Sequence, residues 1–202
     1  MKRILLTLLP LLLQTAHAQE IQLKSNSWGV EVNPIRLLQT SGDYFGFSGT
    51  ISHFDNTNGV EIAMPIYYTR EDKRFRVDNN QHFGAVESRL NLDLHYRRYL
   101  SFSRGLTESL YVGAFTRYTH LNGEAIDREG TVVVNKLGFG GEVGMKTKNL
   151  FNTPFYWGCS LMIGGYVTGN NDKLSRDVMF DAGFDDRQLI VDIELLKIGY
   201  EF

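Results

Sequence analysis

Apolar and polar residues alternate along most of the chain. In "SRLNLDLHYRRYL", Leu90, Leu92, Leu94 and Tyr96 share one face while Arg89, Asn91, Asp93, His95 and Arg97 share the other. "NKLGFGGEVGMK" sets Leu137, Phe139, Val143 and Met145 against Lys136, Glu142 and Lys146. "VEIAMPIYYTR" sets Val60, Ile62, Met64, Ile66 and Tyr68 against Glu61, Ala63, Pro65, Tyr67 and Thr69. "FYWGCSLMIGGYV" sets Phe155, Trp157, Leu161, Ile163 and Val167 against Tyr156, Gly158, Ser160, Gly164 and Tyr166. Successive side chains of a strand point to opposite faces, so a period of two predicts half-buried β-strands. Weaker alternation near 28–38, 44–54 and 109–121, with the C-terminal segment, brings the predicted total to eight strands.

The last segment, "LLKIGYEF", carries Ile198, Tyr200 and Phe202 on one face and Lys197, Gly199 and Glu201 on the other. Strict alternation further back would put Asp192 and Glu194 on the apolar face. One extra residue at Leu195-Leu196 returns Leu189, Val191 and Ile193 to that face and moves both acids off it. A β-bulge makes such an insertion, and one is predicted there. The connections 55–59, 101–108 and 148–154 read as short, and between them 71–87, 122–131 and 170–188 as longer polar loops; only the first, 39–43, is short where a longer loop is allowed. Short turns on one rim and longer loops on the other belong to outer-membrane barrels.

The chain opens with Lys2 and Arg3, an apolar run from Ile4 to Leu13, and Ala16-His17-Ala18. Basic, apolar and small-residue regions in that order predict a signal peptide over 1–18, removed before Gln19, and a single barrel domain over 19–202. The apolar run is too short to cross a bilayer as a helix, and no later stretch is long enough either. The composition holds 21 basic and 23 acidic residues, with two of the bases in the leader, so nothing points to a nucleic-acid partner. One cysteine, Cys159, excludes an internal disulfide.

Two kinds of barrel share this alternation. A soluble barrel turns its apolar row inward, while a membrane barrel turns it toward lipid and lines its interior with polar groups. Three features favour the membrane form. The polar face balances Glu31, Glu61, Asp93, Glu142, Asp192, Glu194 and Glu201 against Arg36, Arg89, Arg97, Arg117, Lys136, Lys146 and Lys197, as enclosed charges require. The same face holds Gly138, Gly140, Gly144, Gly158 and Gly164, which leave room for long side chains in a narrow interior. Trp28, Tyr96, Tyr99, Phe155, Trp157, Tyr200 and Phe202 gather near strand ends, as in an interfacial girdle. The expectation is an all-β, eight-stranded antiparallel up-and-down transmembrane barrel, monomeric, in contact with outer-membrane lipid. Hydrocarbon offers no partner to an open sheet edge, which is why the sheet must close.

The terminal Ile198, Tyr200 and Phe202 resemble the C-terminal assembly signal of Gram-negative outer-membrane proteins. That resemblance implies a bacterial outer-membrane location and recognition of the last strand by the barrel-assembly machinery. "VEVNPIRLL", "LDLHYRRYL", "LYVGAFTRY" and "LGFGGEVGMK" resemble a family of small outer-membrane β-barrels, similar in architecture to the membrane domains of OmpA and OmpX. The resemblance implies fold and location and carries over no catalytic residue.

Few residues are candidates for chemistry. His120, beside Thr119 and Glu124, could belong to a rim site for lipid modification, but no serine follows it at the spacing of a lipid A deacylase. His95 between Asp93 and Arg97 reads as a paired interior histidine. Asp172, Asp177, Asp181, Asp185 and Asp186 lack the spacing of a calcium loop. No catalytic, cofactor-binding or metal-ligating residue is therefore assigned. A structural or surface-interaction role through the loops is expected, with the interior closed by ion pairs and the loop partner unspecified. The alternatives are a lipid-modifying enzyme with a rim site and a soluble periplasmic barrel holding a lipophilic ligand.

Overall fold

The computed structural model describes residues 26–38, 41, 43–77, 81–100, 108–125, 131–148, 150–169 and 188–202. The predicted signal peptide and the aspartates of 172–186 lie outside the described residues. Eight strands form a closed antiparallel barrel in sequence order. They are β1 (Asn26–Val32), β2 (Tyr44–Asp55), β3 (Val60–Val77), β4 (Gln81–Leu100), β5 (Glu108–Ala125), β6 (Thr131–Thr147), β7 (Phe155–Gly169) and β8 (Leu189–Glu201). One end of the barrel, the terminal rim, carries Asn26, Phe202 and the β2–β3 turn; the other is the distal rim.

The predicted facing holds along the clearest strands. Asp93, His95 and Arg97 are buried, as are Glu61, Glu142, Lys146 and Tyr156, while Leu92, Leu94, Ile163 and Phe139 are exposed. The bulge also falls where expected. Gly158 pairs with Lys197 and Ser160 with Glu194, so Leu195 and Leu196 together oppose Cys159. Glu194 and Lys197 are both buried as a result. A second irregularity lies between Leu137 and Gly138, where Val167 is left over opposite β6.

Three expectations need correction. The first strand does not reach residue 38; it stops at Val32, and Pro34–Leu38 forms a short helix, α1. Asn33 Oδ1 accepts the Ile35 backbone N–H at 3.1 Å. Asn at the N-cap with Pro at the first helical position is a helix-start signal, because Pro has no N–H to lose there. Segments 71–87 and 122–131 are not long loops either. β3 and β4 stay paired to Val77 and Gln81, and β5 and β6 to Glu124 and Thr131. Tyr99, assigned to the girdle, points inward instead, where its hydroxyl donates to Glu61. It shares the face of Arg97, as alternation requires.

Pro65 is accommodated within β3 by a local gap. The β3–β4 register runs from Ala63↔His95 to Ile66↔Leu92 and skips Met64 and Pro65. A proline cannot donate to the ladder, so pairing lapses there and resumes beyond it. The β2–β3 turn is secured by Asp55, whose Oδ1 accepts the backbone N–H groups of Thr57 at 3.1 Å and Asn58 at 3.0 Å. Gly59 ends it with φ of 63°, a conformation that favours glycine. The Asn58 amide also donates to Asp55, and these bonds hold the Asp55 carboxyl below its ordinary range.

Early termination of β1 leaves the barrel wall uneven. β1 meets β8 only over Gly29–Val32 and Ile198–Glu201. Toward the distal rim α1 packs between β2 and β8 in place of a strand. It leaves Leu37 and Leu38 exposed and turns Arg36 inward, where it reaches Asp192 on β8 at 2.8 Å.

Candidate functional site

The outer surface is the first functional feature. Leu110, Val112 and Tyr118 on β5, and Leu92, Leu94, Tyr96 and Leu100 on β4, are exposed large hydrophobics on one continuous face. The same holds for Ile62, Met64 and Ile66 on β3 and for Leu189, Val191, Ile193 and Leu195 on β8. Leu110 to Tyr118 and Leu92 to Leu100 each span nine residues, the length of a tilted strand needed to cross hydrocarbon, about 9–11 residues. Past the belt, Arg70 and Glu124 are exposed on the outward face. Aromatic contacts mark both edges. At the terminal edge Trp28 meets His53 at 5.0 Å and Phe155 meets Tyr200 at 5.1 Å. At the distal edge Phe45 meets Tyr68 at 6.1 Å.

The interior is the second. At its middle level Arg117 grips Asp93 through Nε at 2.9 Å and Nη2 at 2.8 Å, and reaches Asp192 at 3.3 Å. Arg36 shares Asp192 from the other side. The two guanidiniums flank the ring of Tyr67 at 5.0 and 5.2 Å, a cation–π arrangement strengthened by exclusion of water.

Below this level, toward the terminal rim, Arg97 is fully buried. Its Nη1 reaches Glu61 at 3.0 Å and its Nε reaches Glu142 at 2.7 Å. Lys146 meets the same Glu61 at 2.9 Å and Glu31 at 3.3 Å. Lys197 meets Glu194 at 3.1 Å and donates to Ser160 at 3.0 Å. His95 stands between Asp93 at 3.3 Å and Glu142 at 3.0 Å, stacked on Phe115. Charges enclosed at low dielectric persist only when paired and hydrogen-bonded, and each of these has more than one polar neighbour.

The terminal rim is floored by rings. Tyr99 and Tyr111 lie 5.4 Å apart, and Phe54 and Tyr156 6.1 Å apart. Lys146 lies over Tyr156 at 4.5 Å, and Lys148 over Phe54 at 4.3 Å. These rings need glycines opposite them. A Cβ at Gly144 would sit 2.3 Å from the Tyr111 ring, and one at Gly199 2.1 Å from the Tyr156 ring. Lys148, in the turn after β6, pairs with Glu201 at 3.3 Å. Burial nonetheless pushes its ammonium pKa down.

All fourteen charges predicted on the polar face are directed inward or into this network. Glu87, which reads in sequence as part of a polar loop, is buried and accepts from Arg89 at 2.9 Å. Lys148 and Tyr111 also join the interior without a sequence signal of their own, although Tyr111 follows from counting back by twos from Arg117. His120 faces outward near the distal rim, with its ring nitrogen 2.8 Å from the Asn135 amide oxygen. Thr119 beside it faces inward. Among the described residues no group of His, Cys, Asp and Glu is arranged to hold a metal ion.

No protein-family model matches the chain, and no curated protein matches it. Solved structures do. A major outer membrane protein from Thermus thermophilus superposes with a TM-score of 0.60 at 15% identity, covering 89% of this chain and 100% of its own. Neisserial surface protein A, NspA, superposes with a TM-score of 0.50 at 9% identity, covering 88% of this chain and 95% of its own. At such identities the likeness is one of architecture, and it agrees with the belt and the charged interior: the fold is the eight-stranded antiparallel β-barrel of outer-membrane proteins.

Proposed function

We propose that the chain is an integral, monomeric barrel of a bacterial outer membrane whose role is structural or interactive through its distal rim, not catalytic. The observation that carries this reading is the inverted polarity of the barrel. Phe139, 58% exposed, and Ile163, 54% exposed, stand outside, while Arg97, Lys146 and Glu61 at 0% are enclosed. In water that arrangement would expose a large apolar surface while burying charge, whereas in a bilayer both faces are matched. The same polarity speaks against a soluble barrel with a lipophilic cavity.

The distal rim supports an outward-facing role. Strands β3 and β4 stay paired beyond the belt as far as Val77 and Gln81, which carries their polar backbone clear of the lipid. Ion pairs around Arg97 and the aromatic floor close the interior to solutes. An eight-stranded barrel has an interior only wide enough for side chains to fill. Ile198, Tyr200 and Phe202 all face outward on the last strand, available to the barrel-assembly machinery before β8 joins β1. The leader over 1–18 would deliver the chain to that machinery.

The test is fractionation combined with gel mobility. The protein is expected in the outer-membrane fraction, with an unboiled band that migrates faster than the boiled one. Deletion of Phe202 is expected to deplete the fast band. Release into the periplasmic fraction without detergent would overturn the membrane reading. A change in lipid A mass on expression, abolished by His120→Ala, would overturn the non-catalytic one.

A further inference from the structure

The ion-pair network does not fill the whole barrel. On the distal side of Arg117 it leaves a cavity of about 140 Å³ between β4 and β8. A single buried water needs only ~10–15 Å³, so a group of several heavy atoms fits. Three cations, Arg89, Arg117 and Lys136, line it with the neutral hydrogen-bonding groups of Asn91, Thr119 and Tyr166, and the start of β8 adds an apolar wall. Among the described residues no aspartate or glutamate lines it. Behind that lining Arg89 is held by Glu87 and Arg117 by Asp93 and Asp192.

The walls are built rather than incidental. Asp93 fixes the Arg117 guanidinium by two bonds, at 2.9 and 2.8 Å. Thr119 Oγ1 donates to Asn91 at 2.7 Å and lies 2.8 Å from the Tyr166 hydroxyl. Lys136 Nζ rests 5.3 Å over the Tyr166 ring. Arg89 commits Nη2 to Glu87 at 2.9 Å, while its Nε is buried with no acceptor. A buried donor without an acceptor costs free energy that a ligand oxygen can restore. Guanidinium and ammonium groups converging on one space suit an anion with several oxygens.

We propose that this cavity is a binding site for a phosphate or phosphomonoester anion, either free or as the head group of an acidic lipid. The proposal goes beyond the structural reading above. It depends on that reading only for which compartment supplies the anion, because the cavity belongs to the folded barrel in any medium.

Two titrations separate the sources. The full chain, folded in detergent micelles, is titrated with inorganic phosphate by calorimetry. The same chain in phosphatidylcholine nanodiscs is compared with nanodiscs containing phosphatidic acid, with bound lipid measured by native mass spectrometry. Saturable binding is expected in at least one arm. It is expected to weaken at least about tenfold in Arg89→Gln and in Lys136→Gln, since each loses a charge-assisted bond. Arg98→Gln, on the outward face near the terminal rim, is expected to leave it unchanged. Heat-modifiable mobility confirms that each variant is folded. Binding in the micelle arm identifies the free anion, and binding confined to phosphatidic acid identifies the lipid head group. Binding in neither arm, or binding that survives both variants in the folded barrel, overturns the proposal.

Discussion

Arg97 and Arg89 stand on one face of one strand, β4, and both point into the barrel, yet they meet different surroundings. Arg97 lies on the terminal side, between Glu61 and Glu142, with its guanidinium carbon 5.1 Å over the ring of Tyr111. Its side chain is 0% exposed. Arg89 lies on the distal side, where its side chain is 32% exposed and Glu87 is its ion-pair partner. β4 is paired with β3 and β5 at both levels, so its own strand pairing does not separate them. The difference is in the side chains. On the terminal side glycines at 144 and 199 admit the rings of Tyr111 and Tyr156, and cations and acids occupy the rest. On the distal side cations gather around a space that they do not fill. One barrel thus contains a solid half and a hollow half, and the boundary between them is the Arg117–Asp93–Asp192 cluster.

The sharpest way to break this comparison is to remove Arg97. Arg97→Ala leaves Glu61 and Glu142 enclosed with one cation fewer, and unpaired buried charge is strongly unfavourable. The expected loss is about 3–5 kcal/mol in unfolding free energy, read from urea denaturation of the barrel in lipid vesicles. A loss below about 1 kcal/mol, the value of a solvated pair, would mean that water reaches the terminal half and that it is not solid.

Packing in the solid half gives a smaller effect that does not involve charge. Gly199→Val drives a side chain into the ring of Tyr156, and overpacking of this kind costs about 1–3 kcal/mol. The double variant Gly199→Val with Tyr156→Ala is expected to recover part of that loss, because the two residues share the same space. If the two single losses simply add, the ring is not packed on the glycine and the floor of the barrel is looser than the geometry requires. The comparison would then rest on ion pairs alone.

Much of this architecture is legible in the sequence, for a physical reason. A barrel wall has two chemically opposite sides, so a strand such as 89–97 records its facing at every residue. The bulge at Leu195-Leu196 is legible for the same reason: without it Asp192 and Glu194 would face lipid. What failed to show was where strands end. Beyond the belt the outer surface meets water, alternation loses its contrast, and paired strand up to Val77 reads as loop. The helix at Pro34–Leu38 was signalled by Asn33-Pro34, but the apolar Ile35, Leu37 and Leu38 imitate a strand face. The interior charges were identified as a balanced set. Their partners could not be, because pairings such as Lys146 with Glu61 and Arg117 with Asp192 depend on how the ring closes.

The smallest effect is expected at Arg89, and it bears most directly on the hollow half. Arg89→Ala removes one guanidinium from a partly exposed site and leaves Glu87 beside a space that water can enter. Pairs of this exposure contribute about 0.2–1 kcal/mol, so its urea transition is expected to lie close to that of the unaltered barrel. The contrast with Arg97→Ala, measured on the same strand under the same conditions, tests the division of the barrel into two halves. A loss at Arg89 as large as that at Arg97 would show that the distal cations are as tightly enclosed as those below. In that case the cavity would have to close around its walls, with too little room for an anion of several heavy atoms. A small loss leaves Arg89 as a side chain that the fold can do without, so its burial of an unpartnered Nε calls for a reason outside stability.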